Sequence, residues 1–296
     1  MLIDKNSLVL IQGITGRQGA YHTQKMIESG VAVVAGVTPG KAGQRVCGVP
    51  VYDQVAQARA EHPIDVSMII VPPAFVLAAA SEAIEAGVPL LVIITEHIPV
   101  HDVMRIKEMA RKKGVRFVGP NTIGIISPGQ CKVGIMPTFL YGKGGGVAII
   151  SRSGTMCHEN ASNLVNQGVG VGAVVGIGGD PIIGMDFVDV LKHFRNDDSI
   201  GAILLVGEIG QKREEKTAQY LLENPYPKPI YAFIAGRYAP KGKKMGHAGA
   251  IIEKGVGSAE SKVASLRQAG VRVALSTQQV VEELSQWQQE HSARRG

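Results

Sequence analysis

Short apolar runs alternate with longer segments of mixed polarity along the first part of the chain. These runs have the length and composition of buried strands and lie at residues 8–11, 31–37, 66–71, 90–94 and 115–118. The segments between them are long enough for helices, and residues 20–29 form the first. Such alternation predicts an α/β fold in which helices cover both faces of a parallel sheet.

A second series of apolar runs follows an irregular section that is rich in proline and glycine. These runs lie at residues 147–150, 171–175, 202–206, 229–234 and 271–275. We therefore predict a first domain over residues 1–122, a linker over 123–145 and a second parallel-sheet domain over 146–296. A polar helix from about residue 277, which contains Trp287, is expected to close the second domain.

The composition is that of a globular protein with two domains. The chain has 296 residues, 45 % of them hydrophobic, which suits two domains of about 150 residues each. Its three cysteines and eight histidines show no spacing typical of metal ligands, so we predict no metal site. No apolar run reaches the roughly 18 residues of a membrane helix, and no targeting signal is recognisable. We expect a cytoplasmic protein without a membrane partner.

The net charge of +6 raises the question of nucleic-acid binding. Aromatic residues make up only 5 % of the chain and do not interleave with the basic ones, as base stacking would require. We therefore predict no nucleic-acid partner, because a small anionic ligand explains the surplus equally well. The 37 glycines are unusual, and many follow apolar runs, where a missing side chain lets the backbone approach a ligand.

A glycine-rich turn, GITGRQG at residues 13–19, joins the first predicted strand to its helix. Such a turn brings backbone amides and a helix N-terminus to a pyrophosphate, although it also fits a turn that only packs helix on strand. NAD-binding proteins place an acid after the second strand, whereas this chain has Thr38 and Lys41 there. A lysine suits a phosphorylated ribose, which leaves NADP and coenzyme A (CoA) as ligands.

His247 lies in a second glycine-rich segment, after Lys241, Lys243 and Lys244. Small neighbours leave its imidazole open to a phosphoryl group, and the lysines would favour an anionic adduct. Glu208 follows an apolar strand and would orient such a ring. A structural histidine, a solvated acid and a Walker phosphate loop are the competing interpretations, and the spacing of the last does not match. Residues 151–155, SRSGT, suit a helix cap or an anion cradle.

Together these motifs resemble the α subunits of succinyl-CoA synthetases, in order and in spacing. The resemblance runs from Leu2 to about Glu283 and rests on residues 13–19, 38–41, 94–96, 119–121, 151–155, 176–181, 207–210 and 246–250. It implies a Rossmann-like CoA-binding domain followed by a flavodoxin-like ligase domain. The same resemblance implies roles for single residues. CoA would be bound by Thr15, Gly16, Arg17, Gln18, Lys41, Ile94, Thr95 and Glu96, and the acyl group by Ser153, Gly154, Thr155 and His158.

By the same resemblance His247 becomes phosphorylated and Glu208 holds its ring. The expected product is an acyl-CoA, made from a carboxylate, CoA and ATP or GTP through an acyl phosphate. In the synthetic direction His247 is phosphorylated first. The nucleotide and its Mg²⁺ would bind to the ATP-grasp domain of a partner β subunit, in an αβ or α2β2 assembly.

Three departures from the family pattern lie near the expected acyl group. Thr122 and Ile123 stand where relatives have Cys-Pro, His158 replaces a tyrosine that touches the substrate, and Gln211 replaces a glycine. Succinate is therefore the leading substrate, with malate, citrate or a sulfonated acid as alternatives. An NADP-dependent oxidoreductase and a CoA-binding regulatory protein without catalysis are the alternatives of other classes, and neither gives His247 and Glu208 a role.

Overall fold

The chain has an α/β fold with two mostly parallel sheets, as the apolar runs predicted. The computed structural model describes residues 2–239, 245–252 and 257–293. By their contacts the residues form two compact units, one of Leu2–Met136 with Ile182–Met185 and the other of Pro137–Pro181 with Asp186–Gly296. The α/β fold class predicted from the sequence is confirmed.

The first unit contains a seven-stranded sheet with the strand order β3-β4-β2-β1-β5-β6-β7. Its elements are β1 (Leu8–Gln12), α1 (Arg17–Glu28), β2 (Ala32–Val37), β3 (Arg45–Val46), β4 (Val49–Tyr52), α2 (Val55–Glu61), β5 (Val66–Ile69), α3 (Val76–Glu85), β6 (Leu90–Ile93), α4 (Val100–Lys113), β7 (Arg116–Val118), β8 (Gly124–Ser127) and β9 (Cys131–Gly134). Within this seven-stranded sheet, which does not include β8 and β9, strand β3 pairs antiparallel with β4 and the other pairs are parallel. The six parallel strands follow the order typical of dinucleotide-binding folds, in which ligands bind at the carboxyl ends of the strands.

Glycines set the ends of the helices that flank this sheet. Gly16 is the N-cap of α1, and a Cβ at Gly19 would lie 2.1 Å from the carbonyl oxygen of Gly13. Only glycine therefore fits the close approach of α1 to the turn after β1. Gly114 ends α4 in the left-handed conformation, with φ of 67°. The buried faces of α2, α3 and α4 pack on the sheet around Leu10, Ile69 and Leu91.

The second unit has five parallel strands in the order β14-β13-β12-β10-β11. Its elements are β10 (Val147–Ser151), α5 (Gly154–Asn166), β11 (Val171–Gly176), α6 (Phe187–Phe194), β12 (Ala202–Glu208), α7 (Arg213–Glu223), β13 (Ile230–Ala235), α8 (Ala259–Gln268), β14 (Arg272–Ala274) and α9 (Thr277–Ala293). This is the flavodoxin-like order, whose direction changes between β10 and β12. The loops that leave these two strands therefore form the expected ligand crevice.

Polar caps fix the starts of the helices in this unit. The hydroxyl of Ser153 accepts a hydrogen bond from the backbone of Met156 at the start of α5, and Ser258 caps α8 in the same way. Asp186 and Asp189 form a reciprocal capping box on α6. Each such cap stabilises its helix by about 1 kcal/mol.

Helix α9 is the polar helix that the end of the sequence predicted, and it packs on this unit through an apolar stripe. Val280 and Leu284 are buried, and a Cβ at Gly201 would lie 2.8 Å from the Trp287 ring. Glycine at position 201 therefore makes room for the indole. Among the helices of the described residues, none is both long and apolar enough to cross a membrane.

The section expected to be irregular contains regular structure. Strands β8 and β9 form an antiparallel hairpin with Ile125 opposite Val133, and residues Thr138–Leu140 form a 3-10 turn. The hairpin belongs to the first compact unit. Its central turn has the sequence SPGQ, and the glycines and proline around its short strands hide the period-2 pattern. The domain limits at residues 122 and 146 stay a prediction.

Candidate functional site

His247 and Glu208 form a hydrogen-bonded pair in the second unit. Glu208 is the last residue of β12, at the crevice beside β10. Its two carboxylate oxygens lie 2.9 and 3.1 Å from Nδ1 of His247. The Glu208 side chain is buried, whereas 27 % of the His247 side chain is exposed. The structure therefore brings together the two residues expected to carry catalysis and leaves the ring accessible.

The pair has a defined polarity. Because a carboxylate only accepts hydrogen bonds, it holds a proton on Nδ1 and leaves Nε2 as the nucleophilic nitrogen of the neutral ring. The hydrogen bond to Glu208 raises the pKa of His247, while burial and the charge of Arg152 act in the opposite direction. The same carboxylate would stabilise the cationic ring that forms when Nε2 becomes bonded to phosphorus.

The carboxylate of Glu208 is held by a buried arginine that sequence reasoning missed. Arg152, whose side chain is fully buried, lies 3.3 Å from Oε1 of Glu208. It donates to the backbone carbonyls of Glu208 and Gly210 at 3.0 and 3.1 Å. An ion pair of 3.0 Å joins it to the buried Glu214. A basic residue directly after a buried strand is the only signal that could have pointed to Arg152.

Behind Arg152 a second buried cation completes the network. Lys262 on α8 has no exposed side-chain surface and contacts Glu214 at 2.5 Å and Glu215 at 2.8 Å. The charges of Arg152 and Lys262 lower the pKa of Glu214 against its burial. Glu214 therefore stays ionised at neutral pH. Its sequence context, KREEK, indicates a solvated helix face and gives no sign of this burial.

Two glycines shape the space around the imidazole. A Cβ at Gly179 would lie 2.4 Å from Cγ of His247, so any side chain there would displace the ring. Gly249 donates a backbone hydrogen bond to the carbonyl of Gly179 at 3.3 Å. The ring thus lies against bare backbone. Lys241, Lys243 and Lys244, expected to favour an anionic adduct, lie outside the described residues.

The residues expected to bind the acyl group lie at the start of α5. The Ser153 hydroxyl caps the helix, Gly154 is its first residue and Thr155 is exposed in the first turn. His158 lies one turn further, and its Nδ1 is 2.5 Å from the hydroxyl of Tyr141. Burial lowers the pKa of His158. The tyrosine fixes the orientation of this ring and leaves Nε2 as the nitrogen open to a ligand.

The residues expected to bind CoA lie in the first unit, at the carboxyl ends of β1, β2 and β6. Gly16, Arg17 and Gln18 are exposed at the N-terminus of α1, and Lys41 is exposed after β2. Ile94, Thr95 and Glu96 follow β6. Because parallel strands end at the same edge of a sheet, these three groups lie along one edge. Their role in binding CoA stays a prediction.

Local hydrogen bonds order this edge. The hydroxyl of Thr15 donates to that of Thr38 at 3.1 Å, and the Thr95 hydroxyl donates to the carbonyl of Val71 at 2.6 Å. Asp53 accepts from the backbone N–H groups of Lys41 and Ala42. This nearby acid orders the loop that carries Lys41, and the position after β2 itself holds Thr38. The edge is therefore suited to phosphates more than to a free ribose diol.

His, Cys, Asp and Glu side chains form no metal-binding group of three in the part of the chain that the structure describes. The Mg²⁺ expected with the nucleotide stays a prediction about the partner subunit.

Family comparisons match both halves of the chain. The CoA binding domain family matches residues 4–97, a range that includes every residue expected to contact CoA. The CoA-ligase family matches residues 150–272, a range that includes Glu208 and His247. The predicted order of a CoA-binding domain before a ligase domain is confirmed.

Whole-chain relatives decide the family. The chain is 49 % identical over 282 residues to succinate–CoA ligase [ADP-forming] subunit alpha 2 of Archaeoglobus fulgidus, covering 95 % of this chain and 97 % of that protein. The chain belongs to the succinate–CoA ligase α-subunit family. The α subunit of this ligase in Staphylococcus aureus is 45 % identical over 280 residues, which cover 95 % of this chain and 92 % of that protein. Membership supports acid–CoA ligase function and does not favour the oxidoreductase alternative.

A solved structure agrees with the fold. ATP citrate lyase of Methanothrix soehngenii superposes with a TM-score of 0.91 at 24 % identity, covering 99 % of this chain and 51 % of that one. At this identity the likeness shows a shared fold and says nothing about the acid.

The buried ion network predicts a large loss of stability when its central charge is removed. Glu214→Gln keeps the shape but leaves Arg152 and Lys262 with one carboxylate fewer, which should lower the free energy of unfolding by about 3–5 kcal/mol. Chemical denaturation measures this, with the exposed Glu282→Gln as the control. Because the pKa of Glu214 is lowered on folding, its contribution is present above the unfolded-state pKa and is lost as the pH falls through the folded-state value. Equal stability of the two variants at pH 7 would contradict the prediction.

Proposed function

We propose that this chain is the α subunit of a nucleoside diphosphate-forming acid–CoA ligase, in which His247 carries a phosphoryl group between nucleotide and carboxylate. The hydrogen-bonded pair of His247 and Glu208 is the observation that carries this proposal. A partner β subunit with an ATP-grasp site would supply ATP or GTP with Mg²⁺. The assembly would be αβ or α2β2.

The pair supports a covalent mechanism in three steps. First, Nε2 of His247 attacks the terminal phosphorus of the nucleotide, and the bond from phosphorus to the diphosphate oxygen breaks. Second, a carboxylate oxygen of the acid attacks the same phosphorus, and the electrons of the Nε2–P bond return to the imidazole. Third, the CoA thiolate attacks the acyl carbon and expels phosphate. Glu208 compensates the positive ring of the phosphorylated state in the first two steps.

CoA would bind along the strand edge of the first unit. Backbone N–H groups at the start of α1 suit its pyrophosphate, and the exposed Lys41 suits the phosphate on its ribose. The pyrophosphate would be contacted by Thr15, Gly16, Arg17 and Gln18. The rest of the edge would be lined by Ile94, Thr95 and Glu96. All these residues lie within the segment that matches the CoA binding domain family.

Succinate is the proposed acid, and it would lie at the N-terminus of α5. Ser153, Gly154 and Thr155 offer a helix start that favours a negative charge. His158 would present Nε2 to the acid, where relatives are expected to present a phenol. Malate, citrate and a sulfonated acid remain the alternative substrates, because an imidazole differs from a phenol in size and in its donor.

Substitution of the carrier histidine tests the proposal directly. His247→Asn, purified with its β subunit, should take up no acid-labile label from γ-labelled ATP and should show no turnover, because asparagine offers no nucleophilic ring nitrogen. CoA binding, measured by calorimetry, should stay near that of the wild type. The exposed His101→Asn on α4 serves as the control and should label normally. Undiminished labelling of the His247 variant would exclude the phosphohistidine.

The Glu208 hydrogen bond predicts a pH effect. Because this bond raises the pKa of His247, the rate of labelling should rise with pH as the ring loses its proton. In Glu208→Gln the pKa should fall, so the midpoint of the profile should move to lower pH. The maximal rate should also drop by roughly 10²- to 10⁴-fold, because the cationic ring loses its carboxylate. Single-turnover labelling between pH 5.5 and 8.5 measures both quantities, and a midpoint that stays in place would contradict the assigned cause.

Residue 158 is expected to set substrate preference. His158→Tyr should shift the ratio of kcat/KM for succinate over malate by about tenfold, because buried polar groups discriminate strongly between ligands. His158→Phe, which has a ring but no hydroxyl, should not produce this shift. A panel of carboxylic and sulfonic acids assayed with the αβ complex gives the ranking. The same ranking in wild type and both variants would show that residue 158 is not the selector.

A further inference from the structure

Gln211, three residues after Glu208, has a backbone conformation that side chains seldom adopt. Its φ is +56°, in the left-handed region that favours glycine. The surrounding contacts hold it there. Lys262 donates to its carbonyl oxygen at 2.9 Å, and the preceding Gly210 donates to the carbonyl of Gly257 at 2.7 Å. Strain that neighbours enforce beside a functional pair indicates that the side chain has a task.

The orientation of the Gln211 amide follows from its partners. Its Oε1 accepts from Nε of Arg213 at 2.6 Å and from a terminal nitrogen of Arg152 at 3.4 Å. Guanidinium groups only donate, so this side of the amide must be the oxygen. The nitrogen, Nε2, therefore faces the other way. It faces Gly249, where a Cβ would lie only 2.9 Å from it.

The amide N–H groups are placed as donors for a ligand. No residue in the described ranges accepts a hydrogen bond from Nε2. Burial and the charge of Arg152 lower the pKa of Arg213 to about 10, so Arg213 keeps its charge at neutral pH. Two cations on Oε1 polarise the amide and make its N–H groups stronger donors. Gly249 is two residues from His247, in the segment that carries the imidazole.

We propose that Gln211 is a phosphate-binding residue, whose amide N–H groups donate hydrogen bonds to the phosphoryl oxygens when His247 is phosphorylated. This inference rests on the proposed function and adds a ligand contact to it. A side chain at position 249 would collide with this amide, so glycine at that position allows the amide to lie beside the segment that carries His247. A glycine at position 211 would relax the backbone but would supply no donor, which explains why a strained glutamine stands here.

The equilibrium between nucleotide and phosphohistidine tests the inference. The α chain is purified with its β subunit, and the labelled fraction of His247 is measured over a series of ATP-to-ADP ratios. Gln211→Glu keeps an acceptor for both arginines and has no N–H. Gln211→Gly removes the side chain and relaxes φ. Lys212→Ala, at the exposed neighbouring residue, is the matched control. Melting curves establish that each variant is folded. If one of the variants does not fold, Gln211→Asn, which has a shorter amide, replaces it.

We expect both Gln211 variants to need a ratio of ATP to ADP about tenfold higher than the wild type for half-labelling, because a hydrogen bond to a charged phosphate is lost. Gln211→Glu should shift further, since it adds a negative charge. Lys212→Ala should match the wild type. If Gln211→Gly is half-labelled at the same ratio of ATP to ADP as the wild type, the inference is overturned. Any shift seen in Gln211→Glu would then be explained by its added negative charge alone. A wild-type protein that takes up no label would instead refute the proposed function.

Discussion

The buried guanidinium of Arg152 is the interaction on which the candidate site depends. Burying a carboxylate costs free energy unless a positive charge compensates it. Arg152 provides this charge to Glu208 and also donates to backbone carbonyls on either side of the turn after β12. It therefore holds Glu208 in place, with the carboxylate directed at Nδ1 of His247. Glu214 and Lys262 in turn keep the arginine in place.

The same arrangement balances the basicity of the imidazole. Glu208 raises the pKa of His247, and Arg152 and burial lower it. A carrier that is strongly basic would stay protonated, and a carrier that is weakly basic would attack phosphorus poorly. Because the carboxylate and the guanidinium act on the ring with opposite signs, the site can stabilise a cationic phosphorylated ring without keeping the free ring permanently charged.

The sequence predicted the parts of this site that lie at strand ends. Apolar runs that stop at glycine or acid locate the ends of β1, β2 and β12 to within a few residues, since both burial and turn chemistry change there. The hairpin of β8 and β9 was missed because each strand has only four residues and is bounded by glycine, which leaves too short an apolar pattern to recognise. The sequence analysis missed Glu214 and Lys262 for another reason. They look like solvated helix residues, and only tertiary packing brings Glu214 to Arg152, 62 positions away along the chain, and Lys262 to Glu214, 48 positions away.

The Arg152–Glu214–Lys262 network also limits how the chain can diverge. Loss of one charge leaves the neighbouring charges uncompensated in the interior. Substitutions at the three positions therefore depend on one another. Replacement of these residues by apolar ones requires several substitutions at once. Replacement one at a time would give an intermediate protein that folds poorly. We therefore expect sequences of this family to vary freely on the outer face of α7 while these three buried sites change together or not at all.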